Sequence, residues 1–446
     1  MRRSLNALLI LALALIAPAV AVPASRAMAQ DAAEIAMWLD TTGGAEGAEC
    51  VVENAVDPFN ALGNGVTVNA TLQANNWDAT RTSLAGGAGP DVIGTPGPSF
   101  AMQLALAGQL APLDEYADQF AWNDRFAEGS LNLGMANDQL FSIPSEIETL
   151  VLYYNKTLFE QNGWEPPKTL DELTALAEQI SAAGIIPFAH ANAEWRPANE
   201  WFVGEFLNHG AGGPQKVYDA LVGETLWTDP DFVAAIESLN QMQQNGWFSG
   251  GLDRYYTLTE AEAGSMFGAG EAAMKIEGTW FLENVNNYFG EAAGNENEWG
   301  WVPMPSASGE PIFDLGIGQT YSINANSANP EATAQFLDFY FSPETQARLL
   351  ANCGVVPAAV NLEGQDLSAV NPGLTEILAA LGEAFAANNY GYTTWTFWPP
   401  ESETFLIEEV EKVWAGEMTA EDYLQGHQEI FDKEREAGAV PPIPER

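Results

Sequence analysis

The chain is poor in the residues that build metal and redox chemistry: two cysteines and three histidines in 446 residues. There is no CxxC and no local Cys/His cluster, so no zinc site and no cofactor is expected. Basic residues are also scarce. Sixteen Lys and Arg stand against 61 Asp and Glu, a formal charge of −45. Such a surface repels nucleic acid and anionic membranes and counts against an anionic ligand. No GxSxG turn and no P-loop occurs, and the GxGQT of residues 316–320 is a weak pattern with no helix cap behind it. No catalytic set emerges, and the chain is not expected to be an enzyme. Beyond the N-terminal region no apolar run is long enough to span a bilayer.

What is present begins with an address. Met1, Arg2 and Arg3 precede an apolar run over residues 8–22, and Ala27-Met28-Ala29 follows. This is the form of a secretory signal peptide over residues 1–29, cleaved near Ala29. No cysteine stands at the cut to carry a lipid. The mature protein is therefore expected to be secreted or periplasmic and soluble. About 415 residues then remain, too many for one core, so two domains are expected. Cys50 and Cys353 lie far apart; in an oxidising compartment such a pair is more often a disulfide than two free thiols.

Along the chain, residues 34–40 (EIAMWLD), 66–72 (VTVNATL) and 91–94 read as strands. They alternate with helical stretches at 50–62, 75–85 and 99–108. This order implies a mostly parallel sheet flanked by helices, an α/β fold. Residues 141–156 (FSIPSEIETLVLYYNK) carry the strongest local signal. Pro144 suits the entry to a strand, and 150–154 is the unbroken apolar run of a strand covered on both faces. Carboxylates leading into such a strand are expensive unless something hydrogen-bonds them. Glu146 reads as turned to solvent and Glu148 as facing a polar ligand. Thr169 and Glu172 have capping-box spacing, and Pro330 and Pro343 each open a further helix.

Fourteen tryptophans are the other prominent feature. Trp195 and Trp280 follow strands, and Trp395 and Trp398 lie in TTWTFWPP, which has neither helical nor strand period. Taken singly, each is explained by anchoring in a core. Together, beside polar groups at strand ends, they suggest a platform for an amphipathic ligand. A sugar suits it, with its C–H face on an indole and its hydroxyls on carboxylates, amides and arginine. A polyamine or quaternary amine would suit it too, through cation–π contact. In open α/β sheets ligands sit outside the carboxyl ends of strands, and Asp40, Thr95, Trp195 and Trp280 lie just past such ends. A secreted glycosidase is a third reading, but with so many acids a pair of carboxylates carries no signal.

Six short motifs in order resemble those of the extracellular solute-binding proteins of carbohydrate ABC importers, the group that includes maltose-binding protein. They are Leu84-Ala85-Gly86-Gly87 with Pro90-Asp91-Val92; the GQLAPLD of 108–114; Ile143-Pro144 with Tyr154-Asn155-Lys156; the PKTLDEL of 167–173; Glu271-Ala272-Ala273-Met274; and Gly278-Thr279-Trp280. The resemblance implies a two-lobed periplasmic-binding-protein fold that closes on a hinge around its ligand. One lobe would comprise 30–144 plus 305–352, the other 145–304 plus 353–446, with crossings near 143–146, 302–305 and 352–356. Cys353 would then lie beside the last crossing. Position by position, Glu148 matches the family's cleft carboxylate, and Trp280 and Trp398 match its stacking tryptophans. Asp40, Trp195 and Arg196 fall in loops where the family places ligand contacts, and Gln319 and Trp395 complete the expected set. Thr95 departs from the maltose-type proteins, which carry an aromatic there, and this counts against maltodextrin. The implied partners are a mono- or oligosaccharide and a membrane permease, with the receptor itself a monomer.

Overall fold

The computed structural model describes residues 33–446 except Gly43, Glu128 and Glu445. The expected signal peptide lies outside the described residues. In chain order the strands that position the site are β1 (Ala33–Asp40), β2 (Val66–Gln73), β3 (Val92–Thr95), β4 (Ser142–Pro144), β5 (Ile147–Glu148), β6 (Leu150–Asn155), β7 (Ile186–Phe188), β8 (Ala272–Gly278), β9 (Trp299–Pro303), β10 (Phe313–Ile317), β11 (Thr320–Ile323) and β12 (Tyr390–Tyr392).

Two sheets carry the two lobes. The first has the order β2-β1-β3-β11-β4 and the second β9-β6-β8-β7. In the first, β1 runs parallel to β2 and β3, and β11 adds antiparallel to β3 and β4. In the second, β8 runs parallel to β7 while β6 lies antiparallel between β8 and β9. The apolar run at 150–154 is the reason β6 is internal. Leu150 and Leu152 enter one core cluster, Val151 and Tyr153 the cluster on the opposite face, and all four are buried. The first sheet has its own core, in which Met37, Leu39, Val68 and Ile143 meet Tyr321, Phe336 and Leu337.

The lobes are joined by a short strip. β5 pairs antiparallel with β10, placing Gly316 opposite Glu148 and Ile317 opposite Ile147, and β12 extends β10 in parallel. The chain runs from β4 in the first sheet through β5 into β6 in the second. The return crossing comes later than 302–305. Ser306 N bonds Lys168 O and Ala307 N bonds His209 O, so the chain stays on the second lobe until β10 ends and β11 begins. Pro303 and Pro305 end a strand there without changing lobes. The last crossing lies beside the first: Ile147 N bonds Val356 O and Ala358 N bonds Ser145 O.

Six helices matter for the site: α1 (Glu46–Val51), α2 (Pro98–Leu106), α3 (Leu170–Ala182), α4 (Ala198–His209), α5 (Pro343–Cys353) and α6 (Pro400–Trp414). Thr169 caps α3 as its spacing predicts: its Oγ1 accepts from Glu172 N at 3.1 Å, and Glu172 Oε2 accepts from Thr169 N at 3.2 Å. Cys50 on α1 is bonded to Cys353 at the end of α5, with Cα atoms 5.7 Å apart. The disulfide ties α1 to the end of α5. Two helical segments have no readable period. The stretch expected to be irregular contains a helical turn at Thr394–Phe397, and α4 was not anticipated. Both are buried on nearly every side, so no polar face marks their repeat.

Candidate functional site

A cavity of about 290 Å³ opens between the sheets, above the β5–β10 strip. The ends of β1 and β3 bring Asp40 and Thr95 to it from the first lobe. β8 and the turn after it bring Lys275, Glu277 and Trp280 from the second. Trp195 and the first turn of α4, with Glu200 and Trp201, form another wall. Glu146, Glu148 and Gln319 come from the crossings themselves, and Trp395 from the helical turn before α6.

Seven of the nine expected ligand residues thus line one cavity: Asp40, Thr95, Glu148, Trp195, Trp280, Gln319 and Trp395. Arg196 and Trp398 do not. Arg196 points outward and clamps Glu411 on α6, with Nε to Oε1 at 3.0 Å and Nη2 to Oε2 at 2.9 Å. Trp398 is wholly buried against Trp227, ring centroids 5.1 Å apart. An indole in so apolar a setting is a core anchor. Thr95 lines the wall, but its hydroxyl is already engaged by Thr320 Oγ1 at 2.5 Å and Gly97 O at 3.1 Å. Glu146 was expected to face open solvent and instead lines the cavity, because the crossing that carries it is sealed on one side by Pro357 and Val356.

The aromatic wall is a cluster. Trp280 lies 5.1 Å from Trp201 and 6.3 Å from Trp395, centroid to centroid. Its Nε1 donates to Glu277 Oε1 at 2.7 Å, which fixes the ring's rotation. Gly278 leaves room for that ring: a Cβ there would meet it at 2.1 Å. Glu277 is held in turn by Lys275 Nζ at 2.8 Å, and Lys275 also reaches Glu260 at 3.1 Å. Gly318 plays the same part for Glu148, whose carboxyl carbon would lie 2.1 Å from a Cβ at that position.

The electrostatics are one-sided. Among the described lining residues Lys275 is the cation, and both its ion pairs are internal. Burial pushes the Glu146 carboxyl up to about 7, against a hydrogen bond from the Gln319 backbone. Glu148 is raised further above the carboxylate range, by burial first and then by the charges of Glu146, Glu283 and Glu277. Burial also raises Asp40, opposed by hydrogen bonds from Asn76 and Thr42. A group that offers hydroxyls or a positive charge would meet acceptors on the floor and flat rings on one wall; an anion would find no unpaired cation.

Sequence reasoning missed Glu200, Trp201, Lys275 and Glu277. Two signals for them exist. The pair Glu194-Trp195 recurs as Glu200-Trp201, and Lys275 and Glu277 alternate with Met274 and Ile276, the period of a strand with one polar face.

A family profile described as bacterial extracellular solute-binding protein matches residues 54–376. Among curated proteins, the chain is 27% identical over 256 residues to an uncharacterized ABC transporter extracellular-binding protein of Pyrococcus horikoshii, covering 56% of this chain and 54% of that one. It therefore spans about half the length of that relative. It is 26% identical over 302 residues to the sn-glycerol-3-phosphate-binding periplasmic protein UgpB of Escherichia coli, covering 64% and 65%. Among solved structures, a chitin oligosaccharide binding protein superposes with a TM-score of 0.73 at 20% identity, over 90% of this chain and 99% of that one. The family and these neighbours are binding proteins. No helix among the described residues is long and apolar enough to cross a membrane.

Proposed function

This chain belongs to the bacterial extracellular solute-binding proteins, and from that premise we propose that it is the extracytoplasmic sugar receptor of an ABC importer. It takes up a mono- or oligosaccharide in the cleft, closes on the β5–β10 hinge and hands the ligand to a membrane permease. It does no chemistry and works outside the cytoplasm as a monomer. The lobes that close are the units built on the two sheets, the first holding the chain from its mature start to β4 and again from β11 to α5.

The observation that carries this reading is the Trp201–Trp280–Trp395 wall beside Asp40, Glu148 and Gln319, assembled from both lobes around one cavity. Indole faces take the C–H side of a sugar ring, and the polar floor takes its hydroxyls. The phosphate ligand named for the E. coli relative does not suit this cavity, where the ammonium of Lys275 is already spent between Glu260 and Glu277. A second reading, a polyamine or quaternary amine as ligand, is favoured by Glu146 and Glu148, which have no cationic partner among the described residues.

Thermal unfolding of the mature protein against neutral mono- and disaccharides, polyamines and betaine tests the proposal. By linkage, a ligand at one hundred times its Kd stabilises by about 2.7 kcal/mol, a shift of several degrees. A shift with a neutral saccharide supports the sugar reading. A shift with amines alone replaces it by the second.

A further inference from the structure

Away from the cleft, three polar side chains meet in the second lobe. Glu205 and His209 stand one helical turn apart on the same face of α4, and Asp314 reaches them from β10. All three side chains are 0–1% exposed. His209 Nε2 lies 3.3 Å from Glu205 Oε2 and 3.4 Å from Asp314 Oδ1. Nδ1 lies 3.2 Å from the Met304 carbonyl oxygen. A carbonyl only accepts, so Nδ1 donates to it, and Nε2 is turned toward the two carboxylates. Nε2 and both carboxylates therefore converge on one point. Among the described residues, Glu205 Oε1 and Oε2, His209 Nε2, and Asp314 Oδ1 and Oδ2 have no hydrogen-bond partner outside the triad, and no Lys or Arg pairs with either acid.

Buried polar atoms left this way need an explanation, and an ion is one. Both separations are longer than the roughly 2.7–2.9 Å of a tight charge-assisted hydrogen bond. The observed values match another geometry. Oxygen and nitrogen ligands bound at about 2.0–2.2 Å around a tetrahedral ion lie about 3.3–3.5 Å from one another. The Nδ1 proton held by a backbone carbonyl is the outer contact that orients a metal-binding histidine. Space has also been kept for the group: a Cβ at Gly391, on β12, would fall 1.8 Å from Asp314 Oδ1, so only glycine leaves room for the carboxylate.

We propose that Glu205, His209 and Asp314 bind a divalent transition-metal ion of the zinc type. One imidazole and two carboxylates suit such an ion, and its two charges neutralise both acids. Calcium fits less well, since it wants six to eight oxygens. The second oxygen of either carboxylate is available for the fourth position. The ion ties β10, the hinge strand, to α4, the helix that presents Trp201 to the cleft. It is a structural site; the i, i+4 spacing of Glu205 and His209 is local, but Asp314 joins them only through the fold.

The test uses the full mature chain without a histidine tag. The protein is unfolded in guanidinium with EDTA, freed of chelator, and refolded with or without zinc chloride or cobalt chloride. The proposal expects one metal per chain retained through gel filtration, visible d–d absorption of four-coordinate cobalt, and a midpoint several degrees higher with zinc. His209→Gln should lose retention and the zinc-dependent rise together. If that variant does not fold, Asp314→Asn and the metal content of the wild-type chain decide. A wild-type chain that retains no metal and melts alike with and without zinc overturns the proposal, and the triad then shares protons. Equal retention by a folded His209→Gln chain overturns it as well.

Discussion

Glu200 carries a cost that can be removed by one atom's change. It lines the cavity, is 1% exposed, and lies against Glu403, itself 2% exposed. Burial raises Glu200 to about 8, and Glu403 is raised further by burial and then by the charge of Glu200. In the unfolded chain both titrate near the ordinary value of 4.5. Between about pH 4.5 and 8 the folded state therefore holds a proton at Glu200 that the unfolded state has lost. Stability must fall as pH rises through this window, by about 1.4 kcal/mol per unit for each retained proton. Glu200→Gln keeps the shape and the neutral polar end but cannot titrate. Its unfolding free energy should equal wild type near pH 5 and exceed it by about 3 kcal/mol near pH 8. Guanidinium unfolding followed by tryptophan fluorescence at pH 5, 6.5 and 8 measures the difference. Parallel curves for the two proteins, or a gain for Glu200→Gln confined to pH 5, would refute the reasoning.

Other changes separate the site from its scaffold. Trp280→Ala removes the centre of the aromatic wall and should weaken saccharide binding by about 1–3 kcal/mol, or roughly five- to 150-fold in Kd, by calorimetry; an unchanged Kd takes Trp280 out of the site. Gly318→Ala must drive the Glu148 carboxylate off its present position, since the new Cβ would lie 2.1 Å from it. It should cost about tenfold in affinity with little change in thermal midpoint, and an equal loss of both would assign Gly318 a folding role instead. Replacing Cys50 and Cys353 with serine opens a loop of 303 residues. Loop entropy sets that cost at about 6 kcal/mol in denaturant unfolding. Ligand affinity should hold, because neither cysteine lines the cavity; a loss below about 1 kcal/mol would mean the bond constrains little of the unfolded chain.

The parts legible in the sequence are those where one local rule acts alone. The run at 150–154 has no polar residue and became the internal strand β6. Thr169 with Glu172 caps α3 as their spacing requires, and Pro343 opens α5. The tryptophans divided differently. Trp280 and Trp195 were placed by the strand-end rule and do line the cavity. Trp398, taken from the family's pattern, is wholly buried in the core, and Arg196 found a nearer partner in Glu411. What escaped was whatever the fold alone brings together. Helix α4 is buried almost all round, so its period is invisible, and with it went Glu200, Trp201 and the contact of Glu205 and His209 with Asp314. Glu146 escaped for another reason: a polar residue at a strand entry reads as solvent-facing until the last crossing is laid beside it.

The central claim is that the cleft binds a neutral sugar through ring stacking and hydrogen bonds. Calorimetric titration of the mature protein, with the saccharide that most raises its thermal midpoint, at low and at high salt, tests it most directly. The account predicts saturable one-to-one binding with a Kd that barely moves with salt, since no net charge is brought together. Absence of saturable heat with every saccharide, alongside amine binding that weakens steeply as salt rises, would contradict it.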